Sequence, residues 1–254
     1  VKLSEGTPVE VKTSIETDFK MTAAQLEAAI TPKTKMIWFS SPCNPSGSLY
    51  SREELRALAD VLKKYPEIYI LSDEIYEHIN FGDKHESIAQ FAPLKERVVI
   101  INGFSKAFAM TGWRLGYLAA SKEIAQACDK MQGQITSGTC SISQRAGIAA
   151  CEGGLESVLK MKEAFLKRRD LVYGLLKAIP GIKTNLPSGA FYFFPDVSSY
   201  FGKSANGEKI KDALDLSLYL LNEAHVALVS GDAFGDPNSI RISYAASEEK
   251  LSEA

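Results

Sequence analysis

Short apolar runs alternate with helical patterns in the first half of the chain, and this alternation limits the folds that it can adopt. The run Met36–Phe39 is followed by a helical pattern over 51–64, which opens with the capping box S-R-E-E, and then by the run Ile68–Leu71. Further apolar runs follow at 98–101 and 115–120. Runs without polar alternation are typical of strands covered on both faces, so the pattern predicts a buried, mainly parallel sheet in an α/β architecture.

The second half of the chain has a different pattern. A helical stretch runs from about 141 to 177 and contains a break at Gly153–Gly154. The segment P-S-G-A-F-Y-F-F-P, a charged helical stretch over about 208–223 and the runs V-A-L-V-S and I-R-I-S-Y-A follow it. These elements predict a smaller α+β unit, so we divide the chain into domains at 1–160 and 161–254.

Net charge and composition indicate which kinds of molecule this protein does not bind. A formal net charge of -2 gives no basic surface for nucleic acid or an anionic membrane, and no apolar run reaches the roughly 20 residues needed to cross a bilayer. The first residues lack the order of a signal peptide, so we expect a cytoplasmic protein that acts on small molecules. Four cysteines without a C-x-x-C pair and three scattered histidines predict no metal site.

Polar residues stand where predicted strands end, which is where open α/β sheets bind ligands. N-P-S-G with Asn44 follows the first run, D-E-I-Y with Asp73 follows the second, and S-K-A-F-A-M-T-G-W-R-L-G with Lys106 follows the third. An arginine, Arg241, alternates with isoleucines near the C-terminus. Each residue taken alone also has a structural interpretation: a turn for Asn44, a helix cap for Asp73 and a solvated amine for Lys106.

Taken together, these four motifs resemble, in order and spacing, the class I aminotransferases of fold type I, which use pyridoxal phosphate (PLP). The resemblance covers essentially the whole chain. It implies the PLP-dependent transferase fold, with part of the large domain followed by the small C-terminal domain. It also implies a homodimeric enzyme that moves an amino group between an amino acid and a 2-oxo acid such as 2-oxoglutarate.

The resemblance assigns roles to residues around the cofactor. Lys106 holds the PLP aldehyde as a Schiff base and then moves the proton during catalysis, and Asp73 pairs with the pyridinium nitrogen. Asn44 and Tyr76 hydrogen-bond the ring hydroxyl oxygen.

The remaining assignments concern the phosphate and the substrate. Ser105 and Arg114 bind the cofactor phosphate, and Arg241 grips the substrate α-carboxylate in a bidentate fork, with Asn44 beside it. Tyr192 receives a structural role, and His78 receives none.

The same resemblance leaves the substrate open. The segment Q-G-Q-I-T-S over 132–137 resembles the bacterial aspartate aminotransferases and favours aspartate, with alanine or an aromatic amino acid as alternatives. A non-catalytic module that senses PLP or another ligand, and an unrelated α/β domain with chance motifs, are further alternatives. Against the usual family size, we expect the N-terminal third and part of the last helix to lie outside this chain. We therefore expect the chain alone to fold, to bind PLP weakly and to turn over no substrate.

Overall fold

The first half of the chain builds a four-stranded sheet. The computed structural model describes residues 1–82 and 84–254. The strands of this sheet are β1 Met36–Ser40, β2 Tyr69–Asp73, β3 Val98–Gly103 and β4 Gly116–Ala119. They lie side by side in chain order, with β1, β2 and β3 parallel and β4 antiparallel to β3. The predicted mainly parallel sheet is confirmed, and each predicted apolar run overlaps one of its strands.

Seven α-helices surround and connect the strands in the part of the chain that the structure describes. They are α1 Ala23–Ala29, α2 Arg52–Leu62, α3 Lys122–Ile135, α4 Ser141–Glu152, α5 Glu156–Ala178, α6 Ala213–Ala224 and α7 Glu248–Glu253. The predicted capping box is present at the start of α2, where Ser51 and Glu54 bond each other's backbone amides. The predicted break at Gly153–Gly154 separates α4 from α5. No helix in 1–82 or 84–254 has the length and apolarity that a membrane span requires.

The main core lies between the first sheet and the helices packed on it. Leu55, Leu58 and Leu62 of α2 are almost fully buried together with Ile68 and Ile70 of the second strand region. Spacings of three and four residues place the three leucines on one face of the helix, and this face covers the sheet. The packing fixes α2, and therefore the chain that enters and leaves it, against β1 and β2.

The second half of the chain forms a smaller sheet. Its strands are β5 Tyr192–Phe193, β8 Val229–Ser230 and β9 Ile240–Ser243, and a separate hairpin pairs β6 Ser204–Ala205 with β7 Glu208–Lys209. Strand β9 lies in the centre, antiparallel to both neighbours. Helix α5 contributes Phe165, Val172 and Leu176 to the core beneath β5. The domain division at residue 160 stays a prediction.

Two expectations are corrected by the structure. The first sheet is not covered on both faces throughout, because Trp38 in β1 is 64% exposed and Tyr117 in β4 is 49% exposed. Apolar sequence alone cannot show whether a covering element is present. The charged helix begins at Ala213 rather than near 208, because the Asp212 side chain accepts the Asp215 amide and caps the helix there.

A backbone junction joins the two halves of the chain beside the N-P-S-G turn. The carbonyl of Gly47 accepts the amides of Ser188 and Gly189 at 2.9 and 2.8 Å. Gly47 has a φ of +68°, and a Cβ built on it would lie 2.5 Å from Pro187 Cβ and 2.8 Å from the Gly189 carbonyl oxygen. Only glycine meets both the conformation and the close approach, so the glycine of this motif is needed by the fold.

We expect Gly47→Ala to lower the free energy of unfolding by about 2–4 kcal/mol, because it adds left-handed backbone strain to overpacking at the junction. Gly133 in α3 is the matched control, since a Cβ there meets open space. Gly133→Ala should raise the free energy of unfolding by about 0.5–1 kcal/mol through helix propensity. Urea unfolding of both variants measures these changes, and equal effects of the two substitutions would contradict the proposed junction.

Candidate active site

The parallel strands deliver three motifs to one edge of the first sheet. Strands β1, β2 and β3 end at Ser40, Asp73 and Gly103, and Ser40 pairs directly with Asp73. The carboxyl ends of parallel strands meet at the same edge, so the segments that carry Asn44, Tyr76 and Lys106 all leave from there.

Lys106 lies half-buried at this edge between aromatic rings. Its Nζ is 5.7 Å from the ring centroid of Tyr76 and 5.7 Å from that of Phe191. Burial lowers the pKa of the Lys106 amine below its usual range, and the charges of Arg241 and Arg114 lower it further, whereas Asp73 opposes the change. A lower pKa increases the fraction of uncharged amine near neutral pH, which is the nucleophilic form.

Asp73 supplies the acidic group of the site. Burial raises the pKa of Asp73 above its usual range, and the charge of Glu74 adds to the rise. The Ile75 amide, which donates to Asp73 Oδ1 at 3.2 Å, and Lys106 act in the opposite direction. A carboxylate in this setting binds a proton or a cationic N–H more strongly than an exposed one.

Tyr76 lies next to Lys106 and contacts the smaller sheet. Its hydroxyl is 3.0 Å from the hydroxyl of Tyr192, and both residues are buried. Burial raises the pKa of Tyr76 far above its usual range, so its phenol stays neutral and able to donate a hydrogen bond. The pair brings a loop of the first sheet against β5.

Arg241 of β9 reaches the same place from the smaller sheet. Its Nη1 donates to Asn44 Oδ1 at 3.0 Å, and its Cζ lies 4.7 Å from the ring centroid of Tyr192 and 5.0 Å from that of Phe234. The Arg241 Nε is buried without a hydrogen-bond partner among the described residues. The guanidinium is thus held by Asn44 and two rings while part of its donor set stays available for an anion.

Ser105 and Arg114 belong to a compact turn after β3. The Thr111 hydroxyl donates to the Ser105 carbonyl at 2.8 Å, and Arg114 Nη1 donates to the Thr111 carbonyl at 2.8 Å. Arg114 is exposed and has a left-handed backbone with a φ of 54°. Thr111, which the sequence did not single out, orders this turn, and the charge of Arg114 acts on Lys106.

Sequence reasoning missed a buried polar cluster on the other face of β2. The Glu74 carboxylate accepts the hydroxyls of Ser72 and Ser87 at 3.0 and 2.7 Å, and His85 Nε2 lies 2.9 Å from Glu74 Oε2. Ser72 and Glu74 alternate with Asp73, so strand geometry directs them away from it. This alternation of Ser, Asp and Glu at a strand end was the available signal.

Part of this cluster has the donor set of a metal site. Ligand atoms of Glu74, Glu77 and His85 lie within 4.8 Å of one another. Both Glu74 oxygens already accept hydrogen bonds from protein groups, and His78 Nε2 lies 2.8 Å from Glu77 Oε1. We therefore interpret the cluster as a support for the segment after β2.

The family described as "Aminotransferase class I and II" matches residues 1–254. The chain belongs to this family. It is 48% identical over 257 residues to the aspartate/prephenate aminotransferase of Cereibacter sphaeroides, covering all of this chain and 64% of that protein. It is 46% identical over 258 residues to a bifunctional aspartate aminotransferase and glutamate/aspartate-prephenate aminotransferase of Petunia hybrida, covering 54% of that protein. The chain thus spans about half to two thirds of the length of these relatives.

Solved structures of this family share the fold. The aspartate aminotransferase of Rhizobium meliloti matches 98% of the chain with a TM-score of 0.93 and 43% identity, and the match covers 63% of that structure. The aromatic aminotransferase of Pyrococcus horikoshii matches 98% of the chain with a TM-score of 0.89 and 37% identity, covering 65% of that structure. These matches confirm the predicted aspartate aminotransferase-like fold. The roles assigned to individual site residues stay predictions.

We expect two variants to move the pKa of Lys106 in opposite directions. Arg241→Gln removes a positive charge, so the pKa should rise and labelling of the amine by acetic anhydride at a fixed mildly alkaline pH should slow. Asp73→Asn removes a negative charge, so the pKa should fall and labelling should accelerate. Peptide mass spectrometry across a pH series measures the rate at Lys106. Arg56→Gln, at an exposed position of α2, is the control and should leave the rate unchanged.

We expect Glu74→Ala to cost about 3 kcal/mol of unfolding free energy, because it leaves buried hydroxyl and imidazole groups without their partner. Glu27 is the matched control, since it forms an exposed ion pair with Lys64 at 2.7 Å. Glu27→Ala should cost less than about 1 kcal/mol. Urea unfolding compares the two variants, and similar losses would show that the Glu74 cluster does not support the fold.

Proposed function

We propose that the protein containing this chain is a PLP-dependent aminotransferase. The observation that carries the proposal is the arrangement around Lys106: an amine with a lowered pKa, an acidic residue with a raised pKa and a ring-stacked arginine meet at one sheet edge. Family membership supports the same reaction class. Bound PLP supplies an aldehyde that captures amines and an aromatic ring that withdraws electrons.

The donor set fits this cofactor. Lys106 provides the amine for the aldehyde, and Asp73 provides a carboxylate for a protonated ring nitrogen. The neutral Tyr76 phenol and the Asn44 amide provide donors for the ring oxygen. Ser105 and Arg114 belong to a turn that offers a hydroxyl and a guanidinium to a phosphate.

Three residues of the chain would each have a separate role in transamination. Lys106 would take the proton from the substrate α-carbon and hold it at Nζ, a task that suits an amine of lowered pKa. Asp73 would hold a protonated ring nitrogen through its carboxylate, which would favour negative charge at the reacting carbon. Arg241 holds the α-carboxylate, which fixes the orientation of that carbon toward Lys106.

We propose aspartate as the amino donor and a 2-oxo acid such as 2-oxoglutarate as the acceptor. Two relatives, 48% and 46% identical to the chain, carry aspartate in their names, which supports this choice. A structure named as an aromatic aminotransferase also has a TM-score of 0.89, so the fold alone does not select the substrate. We further propose that the protein is a cytoplasmic homodimer, in keeping with its family.

Borohydride trapping tests the cofactor assignment. With excess PLP, reduction should fix one pyridoxyl group to Lys106, because its amine of lowered pKa lies beside the proposed ring partners. Peptide mapping by mass spectrometry locates the label. Since trapping is covalent, it detects binding even where the affinity is weak.

Two variants make this test specific. Lys106→Ala should lose the dominant label, whereas Lys162→Ala, on helix α5, should retain it. A dominant label on another lysine of wild type, or equal labelling of wild type and Lys106→Ala, would overturn the proposed function.

A further inference from the structure

Tyr192 contacts two groups of the site at once, through different parts of its side chain. From this geometry we infer that Tyr192 is a positioning residue: its hydroxyl orients the Tyr76 hydroxyl, and its ring holds the guanidinium of Arg241. The inference rests on the proposed function, since it gives Tyr76 and Arg241 their ligands. It assigns Tyr192 more than the structural role that the sequence suggested.

The hydroxyls of Tyr76 and Tyr192 form a buried pair. Tyr76 and Tyr192 are 3% and 6% exposed, and their hydroxyl oxygens lie 3.0 Å apart. Among the described residues, neither hydroxyl has another hydrogen-bond partner. Two hydroxyls that share one hydrogen bond leave one O–H proton over, and a buried donor without an acceptor is costly. The pair therefore needs a further acceptor at this site.

Either hydroxyl can be the donor in this pair. With an acceptor beside Tyr76, Tyr192 donates to Tyr76 and leaves the Tyr76 proton for that acceptor. Lys106 Nζ lies 5.7 Å from the Tyr76 ring, so this proton is available on the side of the proposed cofactor. The ring oxygen of the proposed cofactor would accept the hydrogen bond from the Tyr76 hydroxyl.

The ring contact follows from the register of the smaller sheet. Tyr192 of β5 pairs with Ser243 of β9, so Arg241 stands two positions along on the same face of the sheet. This diagonal placement lays the guanidinium against the Tyr192 ring. Phe234 provides a second ring at 5.0 Å, and Asn44 accepts one donor of the guanidinium. The orientation of Arg241 is thus set before any carboxylate binds.

Tyr192 therefore contacts both the residue proposed to bind the cofactor and the residue proposed to bind the substrate carboxylate. Tyr76 leaves from the first sheet and Arg241 belongs to the second, and Tyr192 touches both. Removing its hydroxyl should affect the cofactor contact alone. Removing its ring should also affect the carboxylate contact.

Ligand binding by purified variants tests the two parts separately. PLP binding is followed by absorbance, and succinate, a dicarboxylate without an amino group, is titrated into cofactor-free protein by calorimetry. Tyr192→Phe keeps the ring, so PLP half-saturation should rise about fivefold while succinate affinity stays within about twofold. Phe234→Leu removes only a ring, so succinate affinity should fall about fivefold with PLP half-saturation unchanged. Tyr192→Leu should weaken both.

Tyr244 is the matched control for a structural role. It is also a fully buried tyrosine, and its hydroxyl donates to the Ala190 carbonyl at 3.2 Å. Tyr244→Phe should lower stability without moving either binding constant. If Tyr192→Leu does not fold, Tyr192→Phe and Phe234→Leu decide the outcome by the opposite pattern of their effects.

The outcomes separate this inference from the proposed function. Unchanged PLP half-saturation in Tyr192→Phe, equal effects of Tyr192→Phe and Tyr244→Phe, or no succinate binding by wild type would overturn the inference. If wild type labels Lys106 with PLP, any of these results removes only the role of Tyr192. If wild type fails to label Lys106, the proposed function fails, and with it the role of the hydroxyl.

Discussion

The parallel pairing of β1, β2 and β3 is the constraint on which the rest of the site depends. It brings the ends of three strands to one edge, although the motifs that follow them are some thirty residues apart in sequence. No single motif could assemble the site alone. The antiparallel strand β4 then returns the chain past Lys106 and places the Arg114 turn beside it. Apolar packing of α2 on this sheet is therefore what holds the polar residues together.

Much of the first sheet and of the site could be predicted from the sequence, because short local patterns indicate where each strand lies and where it ends. Apolar runs located the four strands of the first sheet, and turn-forming or polar residues marked where the chemistry lies. The Glu74 cluster was harder to foresee, since His85 and Ser87 come from a separate segment and only folding shows that they face Glu74. The pairing of Tyr192 with Tyr76 spans 116 residues and depends on the docking of two sheets, which no local pattern encodes.

The pKa of the Lys106 amine depends on several nearby charges at once. Arg241 and Arg114 disfavour the ammonium form of Lys106, while Asp73 favours it, and partial burial strengthens each of these effects. The same proximity acts back on Asp73, whose carboxylate is stabilised by Lys106 but destabilised by burial and by Glu74. The site is thus a balance of coupled charges, so a substitution at any one of them changes the protonation of the others.

The junction at Gly47 has a mechanical consequence. Besides the two amides bonded to Gly47, the Ser188 carbonyl accepts the Phe81 amide at 2.7 Å, and the Ala190 amide donates to the Ile79 carbonyl at 2.7 Å. Four backbone hydrogen bonds thus tie residues 188–190 to loops of the first sheet. A rotation of the smaller sheet cannot pivot within this clamp without breaking them. The segment that leads into β5 is thus fixed to the first sheet, and the smaller sheet, of which β5 is a strand, cannot turn against the first sheet while these bonds persist.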